Sequence, residues 1–175
     1  MRKNKLAATF IVAAALLAGC NPTYNWRDYS SPDAPYRVMF PAKPASHTRG
    51  VDLNGTRVEM TMTAAEVDGV MFAVGTGIAA DAAGAQAAVD AMKTAMLRNI
   101  GATVQRESAS TASSGNPDNA RKRIDIDATG SGNGGPMKLT GHFESRGKRF
   151  YQVIVLGKAV PREQSEQFMT SFTLL

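Results

Sequence analysis

Alternating apolar and polar side chains, separated by turn-forming pairs, constrain the fold of this 175-residue chain more than any other feature. In residues 36–40, Tyr36, Val38 and Phe40 lie on one side, and Pro41 ends the run. A period of two is typical of a strand with one buried face, because successive side chains point to opposite faces of a sheet. We therefore predict an α+β fold with a mainly antiparallel sheet built from hairpins.

Turn signals divide the next forty residues into strands. A second strand is predicted near residues 46–53, and the Asn-Gly pair at 54–55 that follows it accepts positive φ at both positions. The next strand ends at the Asp-Gly pair at 68–69, and the chain returns as a more uniformly apolar strand over 70–75. This order predicts a meander with one solvent-exposed face.

Two helices are predicted, one long and one short. Asp81 is a suitable N-cap, the apolar residues that follow recur at intervals of three and four over 83–100, and Gly101 is placed for a left-handed cap. Pro161 suits the first turn of a short C-terminal helix, whose Phe168 would face inward.

The chain between the two helices contains further strands. Residues 108–119 are polar and are predicted to form a loop. Alternation resumes over 124–128 and 137–144, and residues 149–156 are apolar enough for a central strand.

The first nineteen residues have a different composition and predict a cleaved secretory signal. Arg2, Lys3 and Lys5 precede an apolar run over 6–18, which is interrupted only by Thr9. This run is too short for a membrane-spanning helix, which needs about 20 residues. A cationic start, a short apolar segment and small residues before a cleavage site are typical of a leader that is removed.

The end of this leader, Leu17-Ala18-Gly19-Cys20, resembles the lipobox of bacterial lipoproteins. The resemblance implies cleavage between Gly19 and Cys20, a diacylglyceryl group on the Cys20 sulfur and an acyl chain on the new α-amine. The resemblance implies no cofactor besides these covalently attached lipids. Several acyl chains would make membrane attachment effectively permanent. Because Cys20 is the only cysteine, no disulfide forms within one chain.

Residues 20–35 are predicted to be a lipidated tether, and residues 36–175 a single globular domain. Prolines and serines in the tether discourage regular structure. Tyr24, Trp26 and Tyr29 interrupt its polarity. They either lie at the level of the lipid headgroups or fold back onto the domain, and the sequence leaves both arrangements open.

Loss of the leader lowers the positive charge and removes the main argument for nucleic-acid binding. The whole chain carries a formal net charge of +5, but three of its 20 cationic residues and none of its 15 acidic residues belong to the leader, which leaves +2. Such a chain has no strongly basic surface for phosphates.

Two further segments resemble known proteins. The segment 36–44, Tyr-Arg-Val-Met-Phe-Pro-Ala-Lys-Pro, and the closing segment 168–172, Phe-Met-Thr-Ser-Phe, are similar to those of uncharacterised Gram-negative lipoproteins. More distantly, these segments and the element order resemble the PsbP-like α+β sandwich. That family consists mostly of accessory factors of larger assemblies, which implies a binding role.

Three motifs are candidates for cofactor binding or catalysis. The glycine-rich segment 130–135 matches G-x-G-x-x-G, but a strand follows it instead of the helix that receives a pyrophosphate, so a hairpin is predicted. His47 and His142 are too few for a zinc site, and His142 is predicted to form a surface pair with Glu144. Asp125 and Asp127 share a strand face, where cross-strand ion pairs with neighbouring cations are expected.

One group of cations is a candidate binding patch for anionic lipid or an acidic partner. Its members lie on two predicted neighbouring strands: Arg121, Lys122, Arg123, Arg146, Lys148 and Arg149.

Three hypotheses for function follow. The first is a membrane-anchored envelope lipoprotein whose periplasmic domain binds a protein partner without catalysis. In the lipoproteins that the leader resembles, an aspartate after the cysteine signals retention in the inner membrane, so the resemblance implies the outer membrane for a chain with Asn21 there. The second is a carrier of a small molecule or lipid, with a pocket between helix 83–100 and the sheet lined by Met60, Met62, Met92 and Met96. The third is an envelope hydrolase that uses Asp125, Asp127 or His142.

Overall fold

A computed structural model describes residues 23–113, 115, 119–132 and 134–175. Ten strands and two helices form within these residues, and their bounds in chain order are as follows. They are β1 (Arg27–Ser30), β2 (Tyr36–Phe40), β3 (Ala45–Leu53), β4 (Thr56–Val67), β5 (Val70–Ile78), α1 (Ala82–Asn99), β6 (Thr103–Ala112), β7 (Arg121–Gly132), β8 (Gly135–Arg146), β9 (Arg149–Gly157), α2 (Arg162–Ser171) and β10 (Thr173–Leu174). The predicted α+β class, with a mainly antiparallel sheet, one long helix and one short C-terminal helix, is confirmed.

The described strands form two sheets. The large sheet has seven strands in the order β3-β4-β5-β9-β8-β7-β6, and the small sheet has three in the order β1-β2-β10. Each neighbouring pair is antiparallel. Because α1 connects β5 to β6, which lies at the far edge, the helix crosses the sheet and packs against β7, β8 and β9.

The two faces of the large sheet have separate covers and separate cores. On one face, Val89 and Met92 of α1 pack with Ile126 and Ile154. On the other face, the small sheet and α2 contribute Phe40 and Phe168, which pack with strand residues such as Phe72. The prediction of one solvent-exposed face is therefore wrong. Thr63, Ala65 and Val67 lie on the same face of β4 as the polar Arg57 and Glu59, and all three are buried.

The local signals for turns and helix ends are confirmed. Asn54 and Asp68 are the two non-glycine residues with positive φ among the described residues, at 56° and 51°. The Asp81 carboxylate accepts a hydrogen bond from the Gly84 amide at 2.7 Å, which caps α1, and Gly101 follows the helix at φ 55°. Asparagine, aspartate and glycine adopt positive φ more readily than other residues. The Asp81 carboxylate binds an amide that has no hydrogen-bond partner within the helix.

The N-terminal segment is packed onto the domain, which corrects the predicted tether. Residues 27–30 pair with β2, so the expected absence of regular structure over 20–35 is wrong for this part. Of the two arrangements left open, Tyr24, Trp26 and Tyr29 adopt the second: they are partly buried against the core that contains Phe72. Apolar aromatic area drives this packing, and it leaves residues 20–23 as the chain between Cys20 and the domain.

Residues 108–119, predicted to be a loop, begin within a strand. β6 continues to Ala112 and forms one edge of the large sheet, paired with β7 on one side. Most of its side chains are exposed, and from Ser108 to Ala112 they are small and uncharged. Since neither face of β6 is buried, the sequence lacks the apolar alternation that identifies the other strands.

The glycine-rich segment is a hairpin, as predicted. Gly132 pairs with Gly135, so residues 133 and 134 connect β7 to β8; Asn133 lies outside the described residues. Gly130 is needed for a packing reason, because a Cβ there would collide with the Ile100 carbonyl and lie 3.0 Å from the Ala102 Cα.

This packing gives a test with two glycines of the same motif. Gly130→Ala should lower the free energy of unfolding by about 1–3 kcal/mol, the usual cost of overpacking. Gly134→Ala should change it by less than about 0.5 kcal/mol, as for an ordinary surface substitution, because the nearest atom to its Cβ is the flexible Lys158 Nζ at 3.4 Å. Urea unfolding followed by circular dichroism measures both, and equal effects would contradict the packing argument.

Candidate functional site

The residues of the predicted lipidation site, Leu17, Ala18, Gly19 and Cys20, lie outside the described residues. In the part of the chain that is described, no helix is both long and apolar enough to cross a membrane.

The structure divides the predicted basic patch into separate groups. Arg121 lies opposite Arg146, and Arg146 lies opposite Arg149, so three adjacent strands carry an arginine at the same level. We call these three residues the arginine row. Lys122 projects to the opposite face of the sheet, where it forms an ion pair with Asp90 of α1. Lys148 lies in the turn between β8 and β9, where its carbonyl accepts a hydrogen bond from the Ala79 amide.

The arginine row lies beside the buried Tyr151. Burial raises the pKa of the Tyr151 hydroxyl to about 12, although the nearby positive charges of Arg149 and Arg146 oppose the rise. Arg149 and Tyr151 are two residues apart on β9, and Arg146 lies opposite Arg149, so all three side chains share one face of the sheet.

His142 forms the centre of a polar cluster on this same face. Its Nδ1 lies 2.7 Å from Asp125 Oδ1, across the β7–β8 pair, and its Nε2 lies 3.1 Å from Glu144 Oε2. The ring packs against Phe172, with 5.8 Å between centroids. The predicted His142–Glu144 pair is present, but its expected surface position is wrong, since only 9% of the histidine side chain is exposed.

Arg123 extends the cluster outward. Its Nε donates a hydrogen bond to Asp125 Oδ2 at 2.9 Å, so this member of the predicted patch is neutralised. Burial would raise the pKa of Asp125, but hydrogen bonds from Arg123 and His142 and their positive charges outweigh it and hold the pKa below its usual value. The predicted ion pairs of Asp125 and Asp127 are present, but with other geometry and partners: Arg123 lies on the same strand as Asp125. Asp127 forms the cross-strand pair, with Arg106 of β6, and accepts a hydrogen bond from Thr140.

The cluster is arranged as a set of structural bonds. Both ring nitrogens of His142 face a carboxylate oxygen and the ring lies against Phe172, so neither nitrogen is open to a substrate or a metal ion. Among the described residues, no group of three or more His, Cys, Asp or Glu is placed to hold a metal ion. His47 lies on β3, four strands away from His142, or about 19 Å at the usual strand spacing.

The expected pocket between α1 and the sheet is filled by its own lining. Met60 and Met92 are buried in the core, and Met62 and Met96 pack against it. The ends of Met60 and Met62 lie directly over Gly75. A ligand in this position would have to displace these side chains.

An open groove lies elsewhere, between α2 and strands β7 and β8. It has a volume of about 540 Å³ and is lined by apolar side chains that include Leu139, Val160 and Met169, with Arg106 and Asp127 at its rim. Met169 also borders the recess above His142, so the groove and the polar cluster are neighbours. A carrier function would use this groove instead of the space beside α1.

The sequence interpretation missed the Asp125–His142 bond, although a signal for it existed. A two-residue turn at 133–134 fixes the register of β7 and β8, and that register places residue 125 opposite residue 142. No sequence signal indicated that Phe172 would pack against His142, because the position of Phe172 depends on how α2 and β10 pack.

A comparison with protein-family models found no matching family, and a comparison with curated proteins found no match.

The bonds of Asp125 predict a pH-dependent contribution to stability. Because the pKa of Asp125 is lowered in the folded protein, its stabilising effect is present above the unfolded value of 3.8 and is lost as the pH falls through the folded value. Asp125→Asn should therefore lower the free energy of unfolding by about 1 kcal/mol at pH 7, and by much less at an acid pH that protonates the folded Asp125 carboxyl.

Urea unfolding at the two pH values, followed by circular dichroism, measures this difference. Asp52→Asn is the control, since the exposed Asp52 of β3 only accepts a hydrogen bond from the Gly55 amide, which the asparagine oxygen can also accept. An Asp125→Asn effect of equal size at both pH values would contradict the assignment.

Proposed function

We propose that this protein is a lipoprotein of the bacterial cell envelope whose domain is a non-catalytic binding or accessory module for an envelope protein. Acyl chains on Cys20 would hold it at the membrane, and the lipobox-like residues 17–20 support this anchor. Asn21 supports the outer membrane, with the domain facing the periplasm. The resemblance to PsbP-like proteins also supports an accessory role.

The arginine row is the observation that carries the binding proposal. Like charges directly opposite each other in a sheet are unfavourable, and sheets usually place opposite charges there. Arg121, Arg146 and Arg149 occupy one level of three adjacent strands, and no ion pair to any of them occurs within the described residues. A segment of a partner that is rich in aspartate and glutamate would relieve this repulsion.

The polar cluster supports a role without catalysis. His142 and Asp125 were the candidates for acid–base chemistry, and both are occupied by hydrogen bonds to one another and to Glu144 and Arg123. A general base needs a free lone pair within reach of its substrate. With a mature charge of +2, nucleic acid is not proposed as a partner.

Crosslinking in living cells tests the partner. A photo-crosslinking amino acid at position 148, in the turn beside the arginine row, should capture a discrete envelope protein through a segment with clustered Asp and Glu. Arg146→Glu should reduce the yield at least ten-fold, because the attraction becomes a repulsion.

Arg49→Glu is the matched control for this experiment. Arg49 is an exposed arginine on β3, at the opposite edge of the large sheet, so the same charge reversal there should leave the yield within two-fold. Absence of a protein adduct, or an equal loss with both variants, would count against the arginine row as the binding surface.

Mass spectrometry of the mature N-terminus tests the anchor. We expect a peptide that begins at Cys20 and carries a diacylglyceryl group and an N-acyl chain, from protein that sediments with the outer membrane. Cys20→Ser should leave the leader uncut, because the sulfur that receives the lipid is missing. Native protein with a free thiol would disprove the anchor.

A further inference from the structure

The chain enters the domain at a fixed point. The rings of Tyr24 and Trp26 stack with 6.3 Å between centroids, and both meet Phe72 edge to face, at 6.5 and 6.4 Å. Between them, the Asn25 amide donates a hydrogen bond to the Pro41 carbonyl at 2.8 Å. Burial, followed by the negative charge of Asp68 in the β4–β5 turn, raises the pKa of the Tyr24 hydroxyl.

This entry point lies close to one end of the large sheet. Phe72 is paired with Val155, which is two residues from the end of β9 at Gly157. Arg149, the first residue of β9, lies six residues in the other direction, about 20 Å away at the rise of a strand. The entry point and the arginine row are therefore at opposite ends of the sheet.

The chain between Cys20 and the entry point is short. Four residue steps separate Cys20 from Tyr24, which is at most about 14 Å when fully extended. β9 alone is about 26 Å long by the rise of its nine residues. A lipidated Cys20 would consequently hold this end of the sheet next to the bilayer and keep the arginine row away from it.

The surface around the entry point has the composition of a membrane-facing patch. Trp26 and Tyr24 are only partly buried. Three exposed lysines lie at this end of the sheet: Lys43 follows Pro41 by two residues, Lys138 is paired with Gly157, and Lys158 follows Gly157. They outnumber the acidic Asp68 beside Tyr24. We call the two aromatic residues and the three lysines the entry face.

We propose that the entry face rests on an anionic lipid surface, with the three lysines among the headgroups. Trp26 and Tyr24 stay packed on Phe72 and meet the interface with the parts of their rings that the domain leaves exposed. This inference rests on the proposed lipid anchor and adds to it an orientation of the domain. Aromatic rings and lysines are the side chains that favour this boundary, the rings for their amphipathic character and the lysines for the negative surface potential.

Fluorescence can test the orientation directly, because Trp26 is the only tryptophan of the chain. Full-length lipidated protein is reconstituted in vesicles of phosphatidylethanolamine and phosphatidylglycerol, with and without brominated acyl chains. Bromine quenches tryptophan at short range, so Trp26 emission should fall at least two-fold. In the variant Trp26→Phe with Lys148→Trp, the tryptophan is beside the arginine row and its emission should fall by less than a tenth.

Mass spectrometry of the same sample separates the two proposals. If Cys20 carries its lipid and Trp26 is not quenched, or both positions are quenched equally, the orientation is overturned while the anchor stands. If Cys20 carries no lipid, the anchor is overturned and the orientation with it.

A charge variant tests the contribution of the lysines. Replacing Lys43, Lys138 and Lys158 together by glutamine should reduce Trp26 quenching at least two-fold in the anionic vesicles. It should have no effect in vesicles of phosphatidylcholine alone, which carry no net charge. Unchanged quenching in the anionic vesicles would overturn the role given to the lysines.

Discussion

The pairing of β5 with β9, two strands buried on both faces, is the constraint on which the rest of the structure depends. Ala73 and Ile154 face α1, whereas Phe72 and Val153 face the small sheet and α2. Because apolar area on both sides must be removed from water, the fold needs two covers. The second cover includes residues 24–30, so the N-terminal segment contributes to the core as well as connecting it to Cys20.

The second cover also gives the domain a direction. It fixes the chain where Trp26 meets Phe72, at one end of the large sheet, and leaves the row of Arg121, Arg146 and Arg149 at the other end. In the proposed arrangement, one end serves attachment and the opposite end serves recognition. The basic patch, which the sequence related equally to lipid and to an acidic partner, is then better suited to the partner.

The parts of the fold that sequence analysis predicted are those determined by neighbouring residues. The alternation over 36–40, the Asn-Gly turn at 54–55 and the capping by Asp81 each depend on a few consecutive side chains. β6 was missed because both of its faces are exposed, so it has no apolar period. The burial of His142 depends on Phe172, thirty residues away, and only tertiary packing brings them together.

β6 is an edge strand with one unpaired side, and this side affects how copies of the protein can associate. From Ser108 to Ala112 this strand has neither charge nor proline, the usual protections against pairing with a strand of another molecule. β6 runs from the end of the sheet near the chain entry towards the arginine row. Antiparallel pairing of two such edges would place one molecule upside down, which copies attached to a single leaflet cannot adopt. Attachment to a membrane would thereby suppress a route to aggregation that unattached protein leaves open.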